Sequence, residues 1–174
     1  MTSVSENDSA CAVAHGEGDL TRAERTLLAV FASPVAGFLL RYGADLGYRP
    51  ILFDPDRARA ESVSEPGIEV VGALPELDET ADVVVTDHHR PELGTALRDV
   101  LARPVRWVGL MGNPRHPGPH IEALKQLDVA PEDIERVHRP IGLNIGSRTP
   151  PEIAIATLAG LLADRNARPG GFGF

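Results

Sequence analysis

TLLAVFASPVAGFLLRYGADLGYRPILFDP, Thr26 to Pro55, decides the fold. Leu27-Leu28-Ala29-Val30-Phe31 is a short unbroken apolar run, the pattern of a strand buried on both faces. Ala32-Ser33-Pro34 breaks it. Val35, Phe38, Leu39, Tyr42 and Leu46 then recur at three- and four-residue intervals, which predicts a helix that Gly47 ends. Pro50 to Phe53 is a second buried strand, and Asp54 stands at its tip. The stretch is therefore a strand–helix–strand unit with an acid after the second strand.

The same alternation continues outward. Strands are expected over Gly67–Val71, Asp82–Thr86 and Val105–Leu110, with a sixth near Val137 to Ile141. Helices are expected over Pro91–Leu101 and Pro119–Leu127, with a short turn of helix at Pro131–Ile134. The fold class that follows is α/β: three layers with a mostly parallel sheet of about five or six strands and right-handed crossovers. Residues 1–22 are small, polar and acidic and read as a disordered tail; 23–165 form one domain; 166–174 read as a flexible glycine-rich tail.

Arg139 to Gly160 holds two instructions back to back. Pro140-Ile141-Gly142-Leu143-Asn144-Ile145-Gly146 cannot be a helix interior. Thr149, Pro150 and Glu152 then make a strong helix start, and the nearly uncharged run from Ile153 to Leu162 predicts a largely buried last helix. A glycine-lined loop against a helix N-terminus either seats that helix or holds an anion.

The net charge of −8 argues against nucleic acid or an anionic membrane surface as the main partner. A lone cysteine, Cys11, supplies neither a disulfide framework nor a cysteine-built metal site and fits a reducing cytoplasm. The first residues carry no secretory pattern, and no apolar run is long enough to span a membrane.

In open parallel sheets ligands bind beyond the carboxyl ends of the strands, where the strand order reverses. That rule selects Ala32, Ser33, Asp54, Thr86, Asp87, His89, Gly109, Gly112 and Asn113. Gly142 and Asn144 join them from the later loop. Asp54 stands where a dinucleotide fold places the acid that holds a ribose hydroxyl, but the first turn lacks the usual glycines. Phe31 and Pro34 are expected to crowd a pyrophosphate there. In Asp87-His88-His89 an extended chain puts Asp87 and His89 on one face and His88 on the other, an arrangement for loop hydrogen bonds or ligand contact; no metal site is expected. His116 and His120 have helical spacing, but Pro117, Gly118 and Pro119 intervene. There is no nucleophile elbow, phosphate-binding Walker loop or zinc-protease motif.

Three blocks carry a family resemblance: Trp107-Val108-Gly109-Leu110-Met111-Gly112, then Pro140 to Gly146, then Thr149-Pro150-Pro151-Glu152-Ile153-Ala154. Asp54-Pro55, Thr86 and His89 fit beside them. From about Thr26 to Leu162 the chain resembles the Rossmann-like domain of the XdhC/CoxI family, the maturation factors of molybdenum hydroxylases such as xanthine dehydrogenase. The resemblance implies a homodimer, not an enzyme. It implies binding of the molybdenum cofactor, molybdopterin with or without a nucleotide, and delivery to an apo molybdenum hydroxylase subunit. It differs at the first turn, where Phe31 and Ser33 stand in place of glycines, and in the loop Asn113-Pro114-Arg115-His116-Pro117. Longer members carry a further N-terminal domain, and this chain reads as a short form. Two other readings stand beside it. An NAD(P)-dependent oxidoreductase rests on the fold and Asp54. A degenerate Rossmann domain serving as a protein-interaction module rests on the altered first turn.

Overall fold

The computed structural model describes residues 25–171, except 64 and 114. Among these residues the chain order is β1 (Arg25–Val30), α1 (Pro34–Asp45), β2 (Tyr48–Phe53), α2 (Arg57–Glu61), β3 (Glu69–Val71) and β4 (Asp82–Val85). There follow α3 (Leu93–Leu101), β5 (Trp107–Leu110), α4 (Pro119–Lys125), α5 (Pro131–Ile134), β6 (Val137–His138) and α6 (Pro150–Arg165). The predicted tail 1–22 lies outside the described residues.

All six strands are parallel, in the order β3-β2-β1-β4-β5-β6. The chain leaves β3 at one edge and returns beside β1 as β4, so the order reverses between β1 and β4. Alternation along each strand sends side chains to two cores. Leu28, Val30, Ile51, Phe53, Val83 and Val85 pack toward α3 on one face. Leu27, Ala29, Leu52 and Val84 pack on the other against α1 and α6. The predicted elements form, with ends shifted by a few residues. The short α2 went unforeseen because RARAE has no apolar period.

The last helix departs from expectation. It buries Ala154, Ala156, Thr157, Leu158 and Leu161, but Ile155 is 52% exposed. Its outer face and the end of α1 leave an apolar hollow of about 330 Å³ lined by Tyr42, Leu46, Ile155 and Leu162 among others. A nearly uncharged helix of small residues has no polar face to mark which side meets water, so the sequence overstated its burial. After α6 the chain turns back: Arg168 N–H donates to Ala163 O, and Gly170 lies against Leu143.

The amino ends of the strands are closed by an ion cluster that no sequence motif announces. Asp82, fully buried at the start of β4, accepts from Tyr48, Arg106 and Arg165. Arg106 also reaches Asp164, and Arg165 reaches Thr80 O, so the end of α6 is tied to the sheet. Burial, then the carboxylate beside it, pushes the Tyr48 hydroxyl above its usual range.

Candidate functional site

The carboxyl ends of β1, β2 and β4 meet in one polar network. Ser33 caps α1, accepting from Ala36 N–H at 3.1 Å. Its hydroxyl also donates to Thr86 Oγ1 at 3.0 Å, across the point where the strand order reverses. Thr86 in turn donates to Phe31 O at 2.8 Å. Ala32 N–H donates to Asp54 Oδ2 at 2.9 Å. Arg90 reaches Ala32 O at 3.2 Å and pairs with Asp87 at 2.9 Å. Ala32, Ser33, Asp54, Thr86 and Asp87 are thus brought together, with Arg90 as a member that sequence reasoning missed. A single arginine after a histidine pair carries no positional signal of its own.

Two expectations about the first turn need correction. Phe31 does not crowd the crest: its ring is fully buried in the core. Its φ of 73° lies in the left-handed region that glycine normally fills. The backbone of a glycine turn is therefore kept without the glycine, held by Phe31 N–H to Phe53 O at 2.8 Å and by the Thr86 hydroxyl. Asp54, which stands where a dinucleotide fold places the acid that holds a ribose, is fully buried. Its carboxylate accepts from Ala32 N–H, Asp56 N–H and Arg59. It builds the turn, and in this arrangement has no exposed oxygen for a sugar.

The histidine pair also differs from expectation. The chain turns at His88 and His89 instead of staying extended, because Asp87 Oδ1 accepts His89 N–H at 3.0 Å. The two imidazoles lie 4.0 Å apart, so His88 does not point away from His89. Burial first, then the neighbouring His89 and Arg139, holds His88 below its usual range and favours the neutral ring.

Gly112 and Asn113, beyond β5, form a second group. Arg139 reaches back across the loop and donates to Asn113 O and His116 O, both at 2.9 Å. Its guanidinium lies over Gly112, where a Cβ would fall 2.7 Å from Nη2. Gly109 serves packing: a Cβ there would meet the Trp107 ring at 2.0 Å. Trp107 itself stacks on His138 of the neighbouring strand, with centroids 5.2 Å apart.

Gly142 and Asn144 form a third group, against α6. Gly142 has φ 82°, and a Cβ would fall 3.0 Å from backbone atoms of Ala156 and Thr157. Leu143 N–H donates to Ala156 O at 3.0 Å. Asn144 is exposed beside this crossing. Of the two readings of the loop before α6, the contacts favour the helix seat. Pro150 and Pro151 have no N–H to offer. Thr149 and Glu152 make a reciprocal capping box, and the Glu152 carboxylate accepts from Arg148 and Thr149 N–H at 2.7 and 3.1 Å. The helix end already holds an anion of its own; those two N–H groups keep Glu152 below its usual range.

Three arginines stand along the carboxyl ends of the strands: Arg59 among Asp54, Asp56 and Glu92, Arg90 beside Asp87, and Arg139 over Gly112. For Arg90 the 2.9 Å approach of Nε to Asp87 is an ion pair lacking hydrogen-bond geometry. Beside Asp54 a cleft of about 420 Å³ opens between α2 and β3, lined by Arg57, Glu61, Val70 and Gly72 among others. Its size is that of a small-molecule site.

The six-stranded parallel sheet, its strand order and a polar crest at the reversal point define a Rossmann-like α/β domain. Residues 27–161 match the family model described as the XdhC Rossmann domain, and the chain belongs to that family. It is similar to the uncharacterized protein YqeB of Escherichia coli (strain K12), at 42% identity over 76 residues, which is 44% of this chain and 14% of that protein. It also resembles a solved structure from Bacillus halodurans described as a xanthine dehydrogenase, with a TM-score of 0.67 and 20% identity. That match covers 83% of this chain and 45% of the other, so this chain spans less than half of either relative. At such identity the structural likeness speaks for the fold alone. Among the described residues no helix is long and apolar enough to cross a membrane.

Proposed function

We propose that this protein is a non-catalytic accessory factor that holds the molybdenum cofactor and delivers it to an apo molybdenum hydroxylase subunit of the xanthine dehydrogenase or carbon monoxide dehydrogenase type. Membership of the XdhC family supports the accessory role. One observation carries the binding reading: Arg90 reaches Ala32 O at the strand-order reversal, beside the Ser33-capped start of α1, and Arg139 lies over Gly112 in the loop beyond β5. Such a crest suits the phosphate of a pterin cofactor, since charge-assisted hydrogen bonds are the strong ones. The cofactor brings the metal and its redox chemistry. The chain supplies charge, a rigid first turn and the cleft beside Asp54, which is large enough for a nucleotide extension.

The residues divide accordingly. Arg90 and Arg139 face the phosphate end. Ser33 and Thr86 fix the turn beneath it. Asp54 orders that turn from within. Gly109 and Gly142 keep the frame closely packed. The oxidoreductase reading loses its main support with the burial of Asp54.

A second reading, a Rossmann module acting only through protein contact, draws on the half-exposed apolar face of α1 and α6. Pterin fluorescence after oxidative release separates the two. Protein purified from a cofactor-competent host is expected to carry stoichiometric pterin, and Arg90→Gln to carry much less. A pterin-free protein that still captures a hydroxylase subunit would support the contact module and sink the cofactor reading.

A further inference from the structure

Away from the crest, at the β6 edge, α4 and α5 frame a cleft of about 430 Å³ that the reading above leaves unused. His120 and Arg139 line it with Lys125, and its apolar wall is Ile121, Ile134 and Val137. His120 is only 5% exposed, yet its ring makes no hydrogen bond within the protein. Buried imidazoles normally find a partner.

The ring is held in place deliberately. It lies flat against Gly118, where a Cβ would fall 2.4 Å from Cε1 and 2.6 Å from Nδ1, so any other residue would displace it. Nδ1 is enclosed there with no donor to meet it. Nδ1 has no acceptor there either, so the protein fixes no tautomer, and an acceptor that reaches Nε2 from the cleft places the proton on that nitrogen. Burial, with Arg139 nearby, keeps the ring below its usual range and hence neutral near pH 7. Arg139 adds a fixed positive charge and Lys125, exposed on the rim, a mobile one. Glu135, also on the rim, opposes ligands of high negative charge.

We infer that this edge cleft is a binding site for a small monocarboxylate with an apolar body. The carboxylate accepts from His120 Nε2–H and is drawn by Arg139 and Lys125. The body lies on Ile121, Ile134 and Val137. A cleft of this volume, mostly apolar with a few convergent polar groups, is the ordinary form of a small-ligand site. Arg139 links it to the crest, because the same side chain clamps Asn113 and His116.

Benzoate is the probe, with benzamide and inorganic phosphate as comparisons. Titration into full-length protein labelled at histidine is followed by the His120 ring resonances. Benzoate is expected to shift them saturably, and benzamide and phosphate to leave them unmoved. His120→Phe, which fills the ring's volume without a donor, is expected to weaken benzoate about tenfold by calorimetry, the loss of one hydrogen bond to a charge. Lys125→Met alters only an exposed side chain, so it folds even where His120→Phe does not, and it is expected to weaken benzoate several-fold. The site is refuted if benzoate leaves the His120 signals unmoved, if benzamide or phosphate binds as well, or if Lys125→Met binds benzoate unchanged.

Discussion

Phe31 offers a test in which two substitutions must fall in an unusual order. Truncating its fully buried ring to alanine removes core contacts and leaves a cavity, a loss of about 3–5 kcal/mol. Alanine at φ 73° still carries the left-handed penalty of about 1–2 kcal/mol, whereas glycine does not. At ordinary backbone angles glycine is worse than alanine by about 0.5–1 kcal/mol, through the entropy of its unfolded chain. At this position the two effects oppose, and the relief is the larger. Phe31→Gly should therefore be more stable than Phe31→Ala by about 0.5–1 kcal/mol, from the difference of those ranges. Both variants stay well below the parent. Urea titration read by far-ultraviolet circular dichroism gives the ordering directly. Thermal midpoints should separate by about 2–4 °C per kcal/mol for a chain of this size. If Phe31→Ala is the more stable by a full unit of about 1 kcal/mol, the inherited glycine-turn backbone is refuted.

Further outcomes follow from other parts of the structure. Asp82→Ala should cost about 3–5 kcal/mol, because Arg106 and Arg165 lose a fully buried partner; chemical denaturation measures it. Gly142→Ala should destabilise by about 1–3 kcal/mol from overpacking against α6, with the left-handed penalty added. The stability loss should accompany any loss of pterin, whereas Arg90→Gln should lower pterin content with the fold intact. Thr149→Ala should cost about 1 kcal/mol as a lost cap and leave pterin content unchanged, since Glu152 already takes the N–H groups of that helix end. His120 is held low when folded, so the unfolded chain takes up its proton first as pH falls. Its contribution is complete above the unfolded value, near 6.5, and is lost below it. Arg139, Lys125 and Glu135 line the same cleft as this ring. His120→Phe should flatten this part of the stability profile; His88, shifted the same way, supplies the remainder.

The elements were legible wherever apolar spacing was strong. Leu27 to Phe53 encodes its strand, helix and strand through burial alone, and Gly47 marks the helix end with φ 83°. The capping box at Thr149 was equally plain. Its consequence was also in the sequence, since two prolines and a glutamate leave the helix end closed to anions. The roles of single polar residues were not legible in the same way. An aspartate at a strand tip can face a ligand or turn inward. Arg59 and the Ala32 N–H decide the matter for Asp54, and both come from other elements. Arg139 acts on Asn113 and His116 across a span that periodicity cannot see. His120 looked like half of a spoiled metal motif, and only the packing of Gly118 shows why the ring is buried.

The cluster around Asp82 has a consequence for how this domain can vary. It fastens the C-terminal end of α6 to the rim opposite the crest, through ion pairs that face no cleft described above. The helix is thus anchored like a post at its base, and the 140–149 segment hangs from its top. Changes in the upper loops need not disturb the anchorage. The rim at the carboxyl ends of the strands can therefore carry departures such as a left-handed Phe31 while the lower rim keeps the frame in register.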